Sequence, residues 1–374
     1  MIDFHMLAVQ PVLGLTPYQP GKPIDELARE LGLEADKIVK LASNENPLGP
    51  SPKALAAMQK ALAETARYPD GSGFALKHKL AVKLGVQPAQ ITLGNGSNDV
   101  LDLIARVFLG PGRSAVFSQH AFAVYPISTQ AVGGKARIAP AHDGSRGPRY
   151  GHDLGAMLDQ IADDTTVVFI ANPNNPTGTY VTAKALEDFL VALPERVIAV
   201  VDEAYFEYVE RDDYPNALAW LDRFPNLIVT RTFSKAYGLA GLRFGYAVSH
   251  PQVSELLNRV RQPFNVNHLA LAAAEAALDD EAHLQKTRKL NREGLRQLEA
   301  AFERLGLDYI PSIGNFITVD VGRQAQPVFE ALLREGVIVR PVANYGLPNH
   351  LRVSVGTCEE NEAFIAALTQ VLGS

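Results

Sequence analysis

Thr166-Val-Val-Phe-Ile-Ala171 runs straight into Asn172-Pro-Asn-Asn-Pro-Thr-Gly178. The first part is continuously apolar, as a strand buried on both faces must be. The second is a turn in which two prolines restrict the backbone and leave amide side chains at the tip. Val181–Leu193 then reads as helix, and Arg196-Val-Ile-Ala-Val-Val201 as a second buried strand, ending in Asp202-Glu-Ala-Tyr205. A third strand, Asn226–Thr230, follows in the same manner. Buried strands alternating with helices predict an α/β fold with a mainly parallel sheet flanked by helices on both faces.

Such sheets bind ligands beyond the carboxyl ends of their strands. Four strands here end in distinctive polar groups: Gly94–Asn98, Asn172–Gly178, Asp202–Tyr205 and Thr230–Lys235. One edge of one sheet collects all four. Gly94-Asn-Gly-Ser-Asn98 lies between the strand Gln90–Leu93 and the helical stretch from Val100, where main-chain N–H groups can approach an anion. It does not follow the G-x-G-x-x-G spacing. Asp202 closes a strand so apolar that its carboxylate requires a partner, either a structural ion pair or a bound group. Lys235 sits among hydroxyls (Thr230, Thr232, Ser234) with Arg243 eight residues on. An amine in a polar turn beside a planar anion-binding fork suits imine chemistry on a phosphorylated aldehyde.

The rest of the chain supports this arrangement. Tyr18-Gln-Pro-Gly-Lys-Pro23 reads as an extended loop, Ile24–Leu31 as a short amphipathic helix, and 52–66 and 74–84 as further helices. Asn44, Glu45 and Asn46 are turn formers whose amides can also line a polar pocket. Tyr68, before a proline, is biased towards extended geometry and can either pack or project. Phe122 and Tyr125 are rings that can pack in the core or stack on a flat ligand. Asp153 is a candidate N-cap. Residues 270–277 offer an alanine-rich packing face, with a long helix from about 283. Asn315–Asp320, Val337–Arg340 and Leu351–Val355 read as strands of a compact C-terminal unit with helices near 324–335 and 359–372. The expected division is an arm over 1–43, a large unit over 44–270 and a small α/β unit over 271–374.

Of 374 residues, 47% are hydrophobic and the net charge is −6. That balance gives no reason to expect nucleic acid. No apolar run is long enough to span a membrane, and no signal peptide is apparent. One cysteine, Cys358, excludes an intramolecular disulfide and reads as a packing thiol. The scattered histidines suggest no metal. A cytoplasmic protein is expected.

The motifs N-P-N-N-P-T-G at 172–178, D-E-A-Y at 202–205, S-K at 234–235 and G-L-R at 241–243 resemble the pyridoxal-phosphate-dependent aminotransferases of fold type I, class I/II, over nearly the whole chain. Pro17–Lys22, Leu41–Gly49, Arg67–Asp70, Gly94–Asp99, Val339–Pro341 and Leu351–Thr357 resemble the histidinol-phosphate branch of that family. The resemblance implies pyridoxal 5'-phosphate as cofactor, with Lys235 bonded to its aldehyde and moving the substrate proton. Asp202 is implied to pair with the pyridinium, and Tyr205 and Asn175 to meet the ring hydroxyl. Phe122 is implied to stack on the ring, and Gly96, Ser97, Asn98, Thr232, Ser234 and Arg243 to hold the phosphate. It further implies a homodimer in which Tyr68 reaches the other subunit's phosphate. Arg352 is implied to take the substrate carboxylate, and Tyr18, Asn46 and Arg340 to complete the substrate site. The implied reaction is ping-pong amino transfer between histidinol phosphate and 2-oxoglutarate. Aromatic amino-acid transfer, threonine-phosphate decarboxylation and a non-catalytic cofactor-binding module are the rival readings.

Overall fold

The strands, in chain order, are β1 (Val39–Lys40), β2 (Ile91–Gly94), β3 (Ser114–Ser118), β4 (Lys135–Ala139), β5 (Thr165–Ala171), β6 (Ile198–Asp202) and β7 (Leu227–Thr232). They continue with β8 (Gly245–Ser249), β9 (Tyr309–Ile310), β10 (Phe316–Asp320), β11 (Val337–Ile338), β12 (Arg340–Pro341) and β13 (His350–Ser354). This is a computed structural model, and it describes residues 2–373. Seven strands form one sheet in the order β2-β8-β7-β6-β5-β3-β4. All run parallel except β8, which is antiparallel to both neighbours. The carboxyl ends of β2, β5, β6 and β7 therefore share one edge. β8 begins at that edge, so Arg243 and Gly245 enter it from the opposite direction.

The sheet is buried on both faces, which is why β5, β6 and β7 lack polar alternation. Val168, Ile170, Val201 and Val229 pack into one cluster, and Val167, Phe169, Val200 and Ile228 into another. β4 lies at the sheet's edge and is largely exposed, with alternating charge in Lys135-Ala-Arg-Ile-Ala139. Its sequence does not announce a strand, because it lacks the continuous apolar run of its neighbours. The helix expected over 52–66 ends at Ala61 and finishes in a 3₁₀ turn, Leu62–Glu64.

A second, antiparallel sheet has the order β12-β13-β10-β9, and β1 pairs in parallel with β11. The helix Glu281–Leu305 buries Leu284, Thr287, Asn291, Gly294, Leu298 and Phe302, residues spaced three or four apart along one stripe. It bridges the two sheets: Arg288 donates to the Glu207 carbonyl and Asn291 to the Gly314 carbonyl. The alanine face of helix His268–Ala277 packs against helix Pro52–Ala61. Cys358, expected to pack, is exposed at the start of the last helix, Cys358–Gly373. No helix among the described residues is long and apolar enough to cross a membrane.

Candidate active site

The shared sheet edge opens into a cavity of about 300 Å³ lined by residues from widely separated parts of the chain. Lys235 and Asp202 both line it, as do Tyr205 and Asn175. The Lys235 amine donates to the Ser43 carbonyl at 3.0 Å. Burial pushes its pKa down to about 7, with the Arg352 guanidinium as the next contribution and Glu45 opposing. The amine is therefore poised to gain or lose a proton near neutral pH.

Asp202 ends β6 opposite Thr230 of β7. Its carboxylate accepts from Thr230 Oγ1 at 2.8 Å and from Tyr125 Oη at 2.8 Å. Burial pushes its pKa up, and both hydrogen bonds oppose that. Strand alternation turns the next residues the other way. Glu203 and Arg231 form a buried ion pair at 2.7 Å behind the site, with the guanidinium 3.5 Å over the Phe206 ring. The structural ion pair thus belongs to Glu203, and Asp202 has no cationic hydrogen-bond partner among the described residues.

The opposite end of the cavity is an anion cradle. Helix Ser97–Phe108 starts there, its N-cap is Gly96 at φ 84°, and no side chain among the described residues caps it. Its first N–H groups and its dipole are free for a negative ligand. Ser97 and Asn98 line the cavity, as do Thr232, Ser234 and Arg243. Arg243 Nη1 donates to Ser234 Oγ at 3.4 Å and to the Ala240 carbonyl at 3.2 Å. Gly96 lies just behind this surface. A Cβ on Gly96 would stand 2.5 Å from Arg243 Nη2, and one on Gly245 would stand 2.3 Å from the Ser97 nitrogen. A side chain at Gly245 would force the helix start to move, and the positive φ at Gly96 favours glycine there.

Two further guanidinium groups reach the same cavity. Arg352, on β13, is buried, with Nη1 donating to Asn175 Oδ1 at 2.6 Å and Nη2 to the Ala42 carbonyl. Its Nε has no partner among the described residues. Burial lowers its pKa, and nearby tyrosines oppose that. Arg340 donates to the Gln19 carbonyl and stands 5.9 Å from the Tyr18 ring centroid. Phe122 presents its ring to the cavity and meets Tyr125 edge-on at 5.9 Å.

Three expected residues do not line the cavity, Gly96 among them, since it stands just behind the cradle. Asn46 does not line the cavity, because its amide donates to the Ala236 carbonyl and to Thr287 Oγ1. Tyr68 is 82% exposed and stacks on Phe264 at 4.6 Å. Asn44 lines the cavity instead of Asn46, and Gly21, Ala42 and Ser43 lie beside it. The signal for Asn44 is present in the Asn44-Glu-Asn46 turn, but spacing alone does not say which amide turns inward. Tyr125, three residues after Phe122, neither stacks on the cavity nor merely packs: its hydroxyl serves Asp202.

The donor set fits a phosphorylated pyridine: an anion cradle at one end, a buried carboxylate for a ring N–H at the other, an aromatic face, and an amine of low pKa. The class I and II aminotransferase family model matches residues 36–368. A histidinol-phosphate aminotransferase 2 of Methylococcus capsulatus is 67% identical over 366 residues, 98% of each chain. Its counterpart in Pseudomonas aeruginosa is 62% identical, over 100% of this chain and 99% of that one. The crystal structure of a Sinorhizobium meliloti histidinol-phosphate aminotransferase in complex with pyridoxal-5'-phosphate superposes with a TM-score of 0.89 at 31% identity, covering 98% of this chain and 97% of that one. The low-pKa lysine, the buried carboxylate across the cavity and the matching family model lead to one conclusion: the chain belongs to the class I and II aminotransferases, among its histidinol-phosphate aminotransferase relatives.

Proposed function

We propose that the protein transfers an amino group between L-histidinol phosphate and 2-oxoglutarate, reversibly and in ping-pong order, with pyridoxal 5'-phosphate as cofactor. The observation that carries this reading is one cavity lined by Lys235 and by two guanidinium groups beyond the one in the phosphate cradle. The high identity to relatives of that name supports it. When bound, the cofactor supplies an aldehyde that exchanges with amines and a ring that accepts the electron pair released at the substrate's α carbon.

The chain's residues do the rest. Asp202, whose carboxylate accepts from Tyr125 and Thr230, would hold the ring nitrogen's proton. Ser97, Asn98, Thr232, Ser234, Arg243 and the main chain at Gly96 hold the phosphate. Phe122 would cover one ring face, and Tyr205 and Asn175 would meet the ring oxygen. Lys235 Nζ, with a pKa of about 7, takes up and returns the substrate's α proton near neutral pH. Arg352 holds the carboxylate of glutamate or 2-oxoglutarate. Arg340 and Tyr18 hold the phosphate of the phosphorylated substrate. Tyr68, exposed on one chain, would be covered in a homodimer and reach the partner subunit's cofactor phosphate. A cytoplasmic enzyme divided into an arm (1–43), a large unit (44–270) and a small unit (271–374) accords with this reading.

The test is a substrate panel on the purified enzyme, with Lys235→Ala as control. Histidinol phosphate is expected to give a higher kcat/KM than phenylalanine. The reverse order would make the enzyme an aromatic aminotransferase. The control is expected to stay folded while losing turnover.

A further inference from the structure

Asn44 sits where the early chain crosses the cavity. It is 1% exposed and has a left-handed backbone, φ 54°. Asparagine reaches that conformation more readily than most residues. In it, one residue presents two groups to a single partner, Ser354, two positions past Arg352 on β13. The Asn44 N–H donates to Ser354 Oγ at 2.8 Å, and the Ser354 hydroxyl donates back to Asn44 Oδ1 at 3.0 Å. The other end of the amide, Nδ2, donates to Tyr205 Oη at 2.9 Å. Asn315 Nδ2 donates to the Asn44 carbonyl at 3.0 Å, so the main chain is held as well.

The two ends of an amide have nearly the same shape, so hydrogen-bond satisfaction decides which one faces Tyr205. Ser354 is 3% exposed, and among the described residues its proton has one acceptor, Asn44 Oδ1. Turning the amide over would set two N–H donors against Ser354 Oγ and bury the serine proton without an acceptor. Buried polar groups rarely tolerate that. With the amide as it stands, Tyr205 Oη accepts from Asn44, and its own proton must point elsewhere. The open direction is the cavity that Tyr205 lines. Burial raises the phenol's pKa, so the proton stays on it.

We infer that Asn44, locked by Ser354, is a positioning residue that makes Tyr205 a hydrogen-bond donor into the cavity, selecting a ligand with an acceptor oxygen at that point. The inference rests on the reading that the cofactor ring lies there, with its 3-oxygen as the acceptor. It makes the polarity of the contact a property of the early chain and of β13 rather than of Tyr205 alone.

The experiment measures binding of pyridoxal 5'-phosphate and of its 3-deoxy analogue to the full chain stripped of cofactor, by calorimetry. Tyr205→Phe, Asn44→Asp and Ser354→Ala are compared with the wild type. Aspartate tolerates the left-handed backbone and keeps the shape, but offers Tyr205 only acceptors. The wild type is expected to favour the 3-hydroxy ligand by roughly tenfold or more, as one hydrogen bond to a charged oxygen allows. Asn44→Asp is expected to lower that ratio to the Tyr205→Phe value, and Ser354→Ala to lower it part of the way. If Tyr205→Phe loses the preference but Asn44→Asp and Ser354→Ala keep it, the ring placement stands and the relay is overturned. If the wild type and Tyr205→Phe show the same ratio, the ring placement is wrong and the inference falls with it. Should Asn44→Asp show no cooperative thermal transition, Ser354→Ala decides: an undiminished ratio there overturns the inference.

Discussion

Replacing Tyr125 by phenylalanine removes one oxygen from a fully buried ring that stacks on Phe169 at 4.8 Å, so packing is preserved. What is lost is the 2.8 Å hydrogen bond to Asp202. A hydrogen bond to an ionised group contributes about 1.5–3 kcal/mol, and one pKa unit is about 1.4 kcal/mol. The Asp202 pKa, already raised by burial, is therefore expected to rise further. A folded-state pKa above the unfolded value means that the folded protein binds the proton more readily. The variant's deficit is then full above the new folded-state pKa and shrinks as pH falls through it. For 374 residues the unfolding entropy is about 0.8 kcal/mol/K, so the deficit corresponds to about 2–4 °C in Tm. The assay is thermal unfolding of cofactor-free protein from pH 8 down to pH 5, alongside the pH profile of kcat/KM. The acid limb of that profile should move towards neutrality, because a protonated Asp202 cannot hold the ring proton. A deficit of equal size at pH 5 and pH 8, with the acid limb unmoved, would refute the reasoning.

Three other outcomes are expected. Lys235→Met should gain stability over the wild type as pH falls from 10 towards 7, because the folded-state amine has a pKa of about 7 and resists the proton that the unfolded chain takes up; urea midpoints of the cofactor-free proteins at both pH values check this. Gly245→Ala should cost about 1–3 kcal/mol in stability and weaken cofactor binding, since its Cβ would press on the Ser97 nitrogen, which cannot yield without moving the helix start; Tm and cofactor titration read both effects. Arg340→Gln should lower kcat/KM for histidinol phosphate by roughly ten- to a hundredfold while leaving the glutamate half-reaction nearly unchanged, which single-turnover kinetics with each substrate distinguishes.

The strand ends are legible because burial on both faces leaves an unbroken apolar run, and a polar cluster that closes such a run stands out against it. Asp202, Asn175 and Lys235 follow from that pattern, and the structure brings them to one cavity. The reversed direction of β8 is not legible, since Gly245–Ser249 is as apolar as its parallel neighbours. β4 escapes because an exposed edge strand carries charge where the core strands carry valine. The choice between Asn44 and Asn46 depends on a left-handed backbone and on Ser354, 310 residues further along the chain. Tyr125 looks like any packing ring until its hydroxyl is seen against Asp202. Contacts of that kind are set by tertiary neighbours, and local patterning carries no trace of them.

The pairing of β1 with β11 has a consequence for biosynthesis. Residues 42–44 form a wall of the cavity, yet they are held there by a strand whose partner is made about 300 residues later. At roughly 5–20 residues per second, the ribosome leaves this wall without its neighbour for about 15–60 s. The nascent protein can assemble its central sheet during that interval, but a competent pocket must await the final hundred residues. Newly made chains released early should therefore fold in part and remain unable to retain the coenzyme.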